Sequence, residues 1–151
     1  LMRSVPRLAA AALVGGALVS APLASADIAQ GFANSDGSVK CDFTTMDGTY
    51  ISCLSEGARV TRPECNPPGQ KAPQYSYYAG RTYAGCYNQG LMSTSFDHIQ
   101  PGQVRQYNEL TVIADAKGGL HFVSPQGYKG YAGKTAVSGP EGLGQVSSRA
   151  L

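Results

Sequence analysis

Cys41 and Cys53 stand six residues either side of Asp47, and this symmetry constrains the fold more than any other feature of the chain. Val39 to Thr44 and Thr49 to Leu54 are strand-like, carrying β-branched and aromatic residues. Between them Met46-Asp47-Gly48 reads as a three-residue hairpin loop, a class that commonly ends on glycine in the left-handed region. Centred on Asp47, the loop sets Thr45 against Thr49, Phe43 against Ile51 and Cys41 against Cys53. Opposed residues at a non-hydrogen-bonded site have β-carbons close enough for a disulfide. The other two cysteines, Cys65 and Cys86, then pair by elimination. The intervals of 11, 11 and 20 residues lack the close-set pairs of a zinc site. Two structural bridges are expected, each stabilising a small domain by about 3 kcal/mol, with no metal and no cofactor.

Disulfides need an oxidising compartment, and the front of the chain supplies a route to one. Arg3 and Arg7 precede the uncharged apolar run Leu8 to Val19; Pro22 follows, and then Ala24-Ser25-Ala26. This is the layout of a secretory signal peptide, with cleavage expected between Ala26 and Asp27. The run is shorter than the ~20 apolar residues of a spanning helix. No cysteine near residue 26 offers a lipid anchor, and Arg3 and Arg7 are not adjacent as in a twin-arginine signal. Without that segment the chain has 125 residues, with ten Lys and Arg against ten Asp and Glu. A neutral product lacks the basic excess that drives binding to nucleic acid or an anionic membrane.

High glycine, sparse charge, frequent tyrosine and no tryptophan suit short strands and tight turns. A second hairpin repeats the first without cysteines: Leu110 to Ala114 and Leu120 to Ser124 flank Ala116-Lys117-Gly118, opposing Val112 to Phe122. Between the hairpins lies Gln74 to Tyr87. A turn at Ala79-Gly80 opposes Tyr78 to Arg81 and Ser76 to Tyr83. Period-2 alternation then puts Tyr78, Arg81, Tyr83 and Tyr87 on one face, and Tyr75, Tyr77, Thr82 and Cys86 on the other. Pro63 to Pro73, which contains Cys65, reads as a tethered loop. The expected architecture is all-β and mainly antiparallel, a small barrel or sandwich of two related hairpin units after an N-terminal signal helix. Residues 1–26 form the signal, 27–137 the disulfide-bonded domain and 138–151 a flexible tail.

The segment Phe32-Ala33-Asn34-Ser35-Asp36-Gly37-Ser38-Val39-Lys40-Cys41 resembles the opening F-x-S-P-S-G-N-I-x-C of small secreted actinobacterial proteins of mycobacterial and nocardial type, a group of unknown function. Tyr50-Ile51-Ser52-Cys53, Arg62-Pro63-Glu64-Cys65 and the strand closed by Cys86 are similar to that group's next three cysteine segments. Gly127-Tyr128-Lys129-Gly130-Tyr131 stands where the group has its last glycine-aromatic motif. Residue 35 is not proline, and Val112 and Phe122 occupy the positions of a final cysteine pair. The resemblance spans Phe32 to Val137 and implies export and architecture, not catalytic residues.

Three candidates for chemistry remain. Gly133-Lys134-Thr135 ends like a phosphate-binding loop, but the first glycine that loop needs falls on Tyr128. His98, beside Asp97, is the basis of an alternative hydrolase reading with Ser93 or Ser95 as nucleophile, yet no G-x-S-x-G elbow occurs. His121 is expected to face solvent or complete a hydrogen bond. Tyrosine and arginine are enriched at binding surfaces, so Tyr78, Arg81, Tyr83 and Tyr87 are the candidate ligand contacts; the alternative is that they line the core. The expected function is a secreted or cell-envelope-associated, non-catalytic, monomeric binding module for a protein, peptide or glycan. It has no stable membrane span after cleavage. Besides the hydrolase, an inhibitor presenting the Pro63–Pro68 loop and a passive envelope component are the alternatives.

Overall fold

The computed structural model describes residues 29–66 and 71–141. The leader with its Ala26–Asp27 cut, Pro67 and Pro68 of the proline-rich loop, and residues 142–151 of the tail lie outside the described residues. Among the described residues there are eleven strands: β1 (Gln30–Asn34), β2 (Val39–Thr44), β3 (Tyr50–Ser55), β4 (Ala72–Tyr78), β5 (Arg81–Tyr87), β6 (Asp97–Ile99), β7 (Val104–Tyr107), β8 (Leu110–Ala114), β9 (Leu120–Ser124), β10 (Gly127–Ala132) and β11 (Val137–Ser138). Short 3-10 turns at Glu56–Val60 and Pro63–Cys65 lie between β3 and β4.

The strands form a sheet of order β5-β4-β3-β2-β1-β6 and a second of order β11-β10-β9-β8-β7. Neighbours are antiparallel except for β1 with β6, which run parallel. The fold is therefore an all-β sandwich, with the two hairpins β2–β3 and β8–β9 placed one in each sheet. Both have the expected register: Cys41 faces Cys53 and Val112 faces Phe122. Gly48 takes the loop-closing position at φ 97°, where a side chain would be strained.

Each sheet buries one face. The inner residues of the first include Phe32, Val39, Ile51, Tyr75 and Tyr77, and those of the second include Tyr107, Leu110, Val112, Leu120 and Phe122. Aromatic stacks join the layers: Phe32 lies 4.5 Å from Tyr107, and Tyr75 lies 4.5 Å from Phe122, centroid to centroid. Each such side chain contributes about 1.5–3 kcal/mol by leaving water. The disulfides Cys41–Cys53 and Cys65–Cys86 have Cα separations of 4.0 and 5.3 Å. The first lies wholly inside the core.

Some local expectations need adjustment. Pro73 belongs to β4 rather than to a loop, opposite Cys86. Its missing N–H is tolerated because the β3–β4 ladder ends one position earlier, at Leu54 and Gln74. Ser138, the first residue of the expected tail, is paired with Tyr131 in β11.

A polar clamp complements the apolar contacts between layers. Glu109, in the β7–β8 turn, accepts hydrogen bonds from the Tyr77 hydroxyl at 2.6 Å and the Thr49 hydroxyl at 2.7 Å. The Asn108 amide donates to the same Thr49 oxygen at 3.0 Å. The bonds from Tyr77 and Thr49 hold the Glu109 carboxyl below the usual 4.5, against the opposing effect of burial. Burial, reinforced by that partner, pushes the Tyr77 hydroxyl up to about 12.

Two predictions follow from these ties. Replacing both Cys41→Ala and Cys53→Ala should lower unfolding free energy by at least about 3 kcal/mol in urea titrations, since the cross-link constrains the unfolded chain. Because the folded Glu109 pKa is depressed, its stabilisation is complete above the unfolded pKa and disappears as pH falls through the folded value. Urea midpoints measured from pH 6 down to pH 3 should therefore drop less steeply for Glu109→Gln than for the native chain.

Candidate functional site

The outer face of the first sheet carries the candidate contacts, and the β4–β5 turn decides which side chains reach it. Ala79 and Gly80 have φ of 49° and 90°, the pattern of a two-residue hairpin turn. Tyr78 consequently faces Arg81, and Ser76 faces Tyr83. Inward alternation sends Tyr75 and Tyr77 into the core at 0% and 2% exposure, whereas Tyr78 and Tyr83 remain 46% and 52% exposed. Arg81 is exposed, and Tyr87 is half-buried. The four expected face residues thus point outward together, rather than into the core. Tyr50 of β3 joins them, its ring edge-on to Tyr78 with centroids 6.2 Å apart.

Gly85 sets the posture of Tyr83. A Cβ at Gly85 would collide with the Tyr83 hydroxyl and the adjoining ring carbon, so the ring lies along its own strand over the glycine. With the ring tip over the glycine, about half of the residue stays open to solvent. Beside it Arg81 supplies an exposed guanidinium with its hydrogen-bond donors.

The opposite half of the same outer face is roofed. Asp42 points outward from β2 yet is only 3% exposed, because the segment between β5 and β6 crosses over it. The Asp42 carboxylate accepts the Met92 amide at 2.6 Å and the Ser93 amide at 2.9 Å. Burial, then the neighbouring Tyr50 and Asp42, raise the Tyr87 hydroxyl above its ordinary value. Tyr87 therefore sits at the junction of the open and roofed halves.

His98 and the two candidate serines lie at different ends of β1. The His98 ring Nδ1 is 3.0 Å from the Asn34 carbonyl oxygen, at one end of β1. Ser93 and Ser95 rest against Gly31 near the other end, and none of the hydrogen bonds among the described residues joins them to His98. His121 completes hydrogen bonds inside the second sheet, with no exposed surface. Its Nε2 lies 2.8 Å from Asp115, and its Nδ1 lies 3.1 Å from the Tyr128 hydroxyl. A carboxylate only accepts, so Nε2 donates to Asp115. Asp115 also receives the amides of Lys117 and Gly119, which closes the β8–β9 turn. The Tyr131 ring covers the histidine at 4.8 Å.

Gly133-Lys134-Thr135 forms the turn between β10 and β11, bridged from the Gly133 amide to the Ala136 carbonyl, and leads into a strand rather than a helix. Glu64 lies with Cys65 and Cys86, but both sulfurs are committed to their bridge and leave no thiolate for a metal. Arg59 donates to the carbonyls of Cys65 and Lys71, closing the base of the proline-rich loop.

Sequence reasoning missed Tyr50, Asp42 and the Asp115–Tyr128 pairing with His121. Gly85 inside a strand pattern was the available signal for a close approach. Asp42 carried none, since its partners lie fifty residues away in irregular chain.

The two disulfides fit an oxidising environment, and no helix among the described residues is long and apolar enough to cross a membrane. No protein family, no curated protein and no solved structure matches the chain. His121→Ala should destabilise the fold by about 3 kcal/mol in urea unfolding, because it leaves a partly buried carboxylate short of a donor and opens a void under Tyr131. A change under about 0.5 kcal/mol would mean that the relay adds nothing to the turn.

Proposed function

We propose that this chain is a secreted or cell-envelope-associated binding module without catalytic activity, and that it holds a glycan on the outer face of its first sheet. The observation that carries this reading is the Tyr83 ring, laid over Gly85 and half exposed beside Arg81. A sugar ring presents a flat patch of C–H groups that suits such a platform, and its hydroxyls accept from a guanidinium. Tyrosine also offers a large rigid contact at low entropic cost, having two side-chain torsions. Tyr78, edge-on to Tyr50, extends the aromatic surface across the strands from β5 to β3, and Tyr87 closes one end of it.

Export is supported by the basic-apolar-small leader and by the two bridges. The resemblance to small secreted actinobacterial proteins agrees with this setting and leaves activity open. Among the described residues no hydrogen bond links His98 to a serine, which favours binding over hydrolysis.

Sedimentation with purified insoluble peptidoglycan tests the proposal. The oxidised chain should be carried into the pellet, and Tyr83→Ala or Arg81→Ala should each weaken retention roughly tenfold. Retention by both variants equal to that of the native chain would overturn the assignment of this face, and no retention of the native chain would overturn this glycan.

A further inference from the structure

The crossing segment that hides Asp42 also walls a groove, at the other end of the sheet from the tyrosines. The groove has a volume of about 940 Å³ and is lined by Gln30, Ser93, Thr94, Ser95, Phe96 and Tyr107, among others. That volume lies within the range of small-molecule sites, roughly 300–1,000 Å³. Its lining mixes three consecutive hydroxyl side chains and an amide with two aromatic rings.

Three contacts hold this wall in place although it has no regular secondary structure over residues 88–96. The buried Asp42 carboxylate takes the amides of Met92 and Ser93. The Lys40 ammonium sits 5.7 Å from the centroid of the Phe96 ring. Gly31 lets the segment lie on β1, since a Cβ there would strike the Ser95 carbonyl and crowd Ser93 and Phe96. A carboxylate used in this way fixes a surface loop at the cost of burying a charge. Such arrangements pre-organise binding loops, because the ordering cost is met before the ligand arrives.

Charge at the rim is balanced, since Asp97 pairs with Arg105 at 3.3 Å. An ionic ligand would therefore gain little there, while a neutral one with many hydroxyls would find donors, acceptors and a ring to lie against.

We infer that this groove is a second ligand site, separate from the tyrosine face, which takes a short neutral oligosaccharide against Phe96 with the exposed Thr94, Ser95 and Gln30 as hydrogen-bond partners. Asp42 is the positioning residue: it touches no ligand and holds the wall.

Amide NMR titration of the oxidised full chain with chitotetraose, and separately with maltotetraose, tests this. One of the two sugars should shift the amides of residues 92–97 in a saturable way. Phe96→Ala and Ser95→Ala should each weaken that response roughly tenfold, and Tyr83→Ala should leave it unchanged. Asp42→Asn should weaken affinity while broadening the amides of Met92 and Ser93 in the free protein, which a residue that only contacts ligand would not do. No saturable shift in residues 92–97 with either sugar up to about 10 mM, or a response that survives both Phe96→Ala and Ser95→Ala, would overturn the site. Shifts confined to Tyr78–Tyr83 would do the same while leaving the tyrosine face standing.

Discussion

The bridge between Cys41 and Cys53 closes only when the two residues face each other on the buried side of β2 and β3. At a Cα separation of 4.0 Å there is no tolerance for a shifted ladder. A slip of one residue would turn Phe43 and Ile51 outward and bring Asp42 and Ser52 into the core. Because β3 pairs with β4, and β4 with β5, the register fixed here propagates to the far edge of the sheet. The exposure of Tyr78 and Tyr83 is therefore a distant consequence of a covalent tie in the core.

Without tryptophan, tyrosine has two opposite uses in this fold. Tyr75 and Tyr77 bury their rings and thread their hydroxyls out to the Lys129 carbonyl and the Glu109 carboxylate. Those bonds attach the first sheet to the second at points where apolar packing stops. Tyr78 and Tyr83 leave their rings in solvent, where burial of the ring is still to be gained from a ligand.

Carboxylates provide the other ordering device. Asp42 fastens an irregular segment, Glu109 fastens a turn to the opposite layer, and Asp115 with His121 closes the hairpin that lacks a disulfide. In each case carboxyl oxygens accept from amides, hydroxyls or an imidazole, and hydrogen bonds to a carboxylate are stronger than those of neutral pairs. The consequence on the surface is a division of one sheet face into an open aromatic half and a roofed half with a groove beside it.

Local chain geometry was enough for the hairpins, because loop length and glycine position determine which residues oppose one another; Cys41 with Cys53, Val112 with Phe122 and Tyr78 with Arg81 could all be read this way. Alternation also separated Tyr78 and Tyr83 from Tyr75 and Tyr77. It could not say which set is buried, since a period of two is the same seen from either side, and only the second sheet packing onto Tyr75 decided that. β6 escaped notice because three residues show no periodicity, and its parallel partner β1 lies more than sixty positions away. The His121 partners, Asp115 and Tyr128, are near in sequence, but only the packed turn and strands decide that they meet the ring. Asp42 was opaque for the same reason as β6: its surroundings come from a segment fifty residues away, and the amino-acid order records no distance between them.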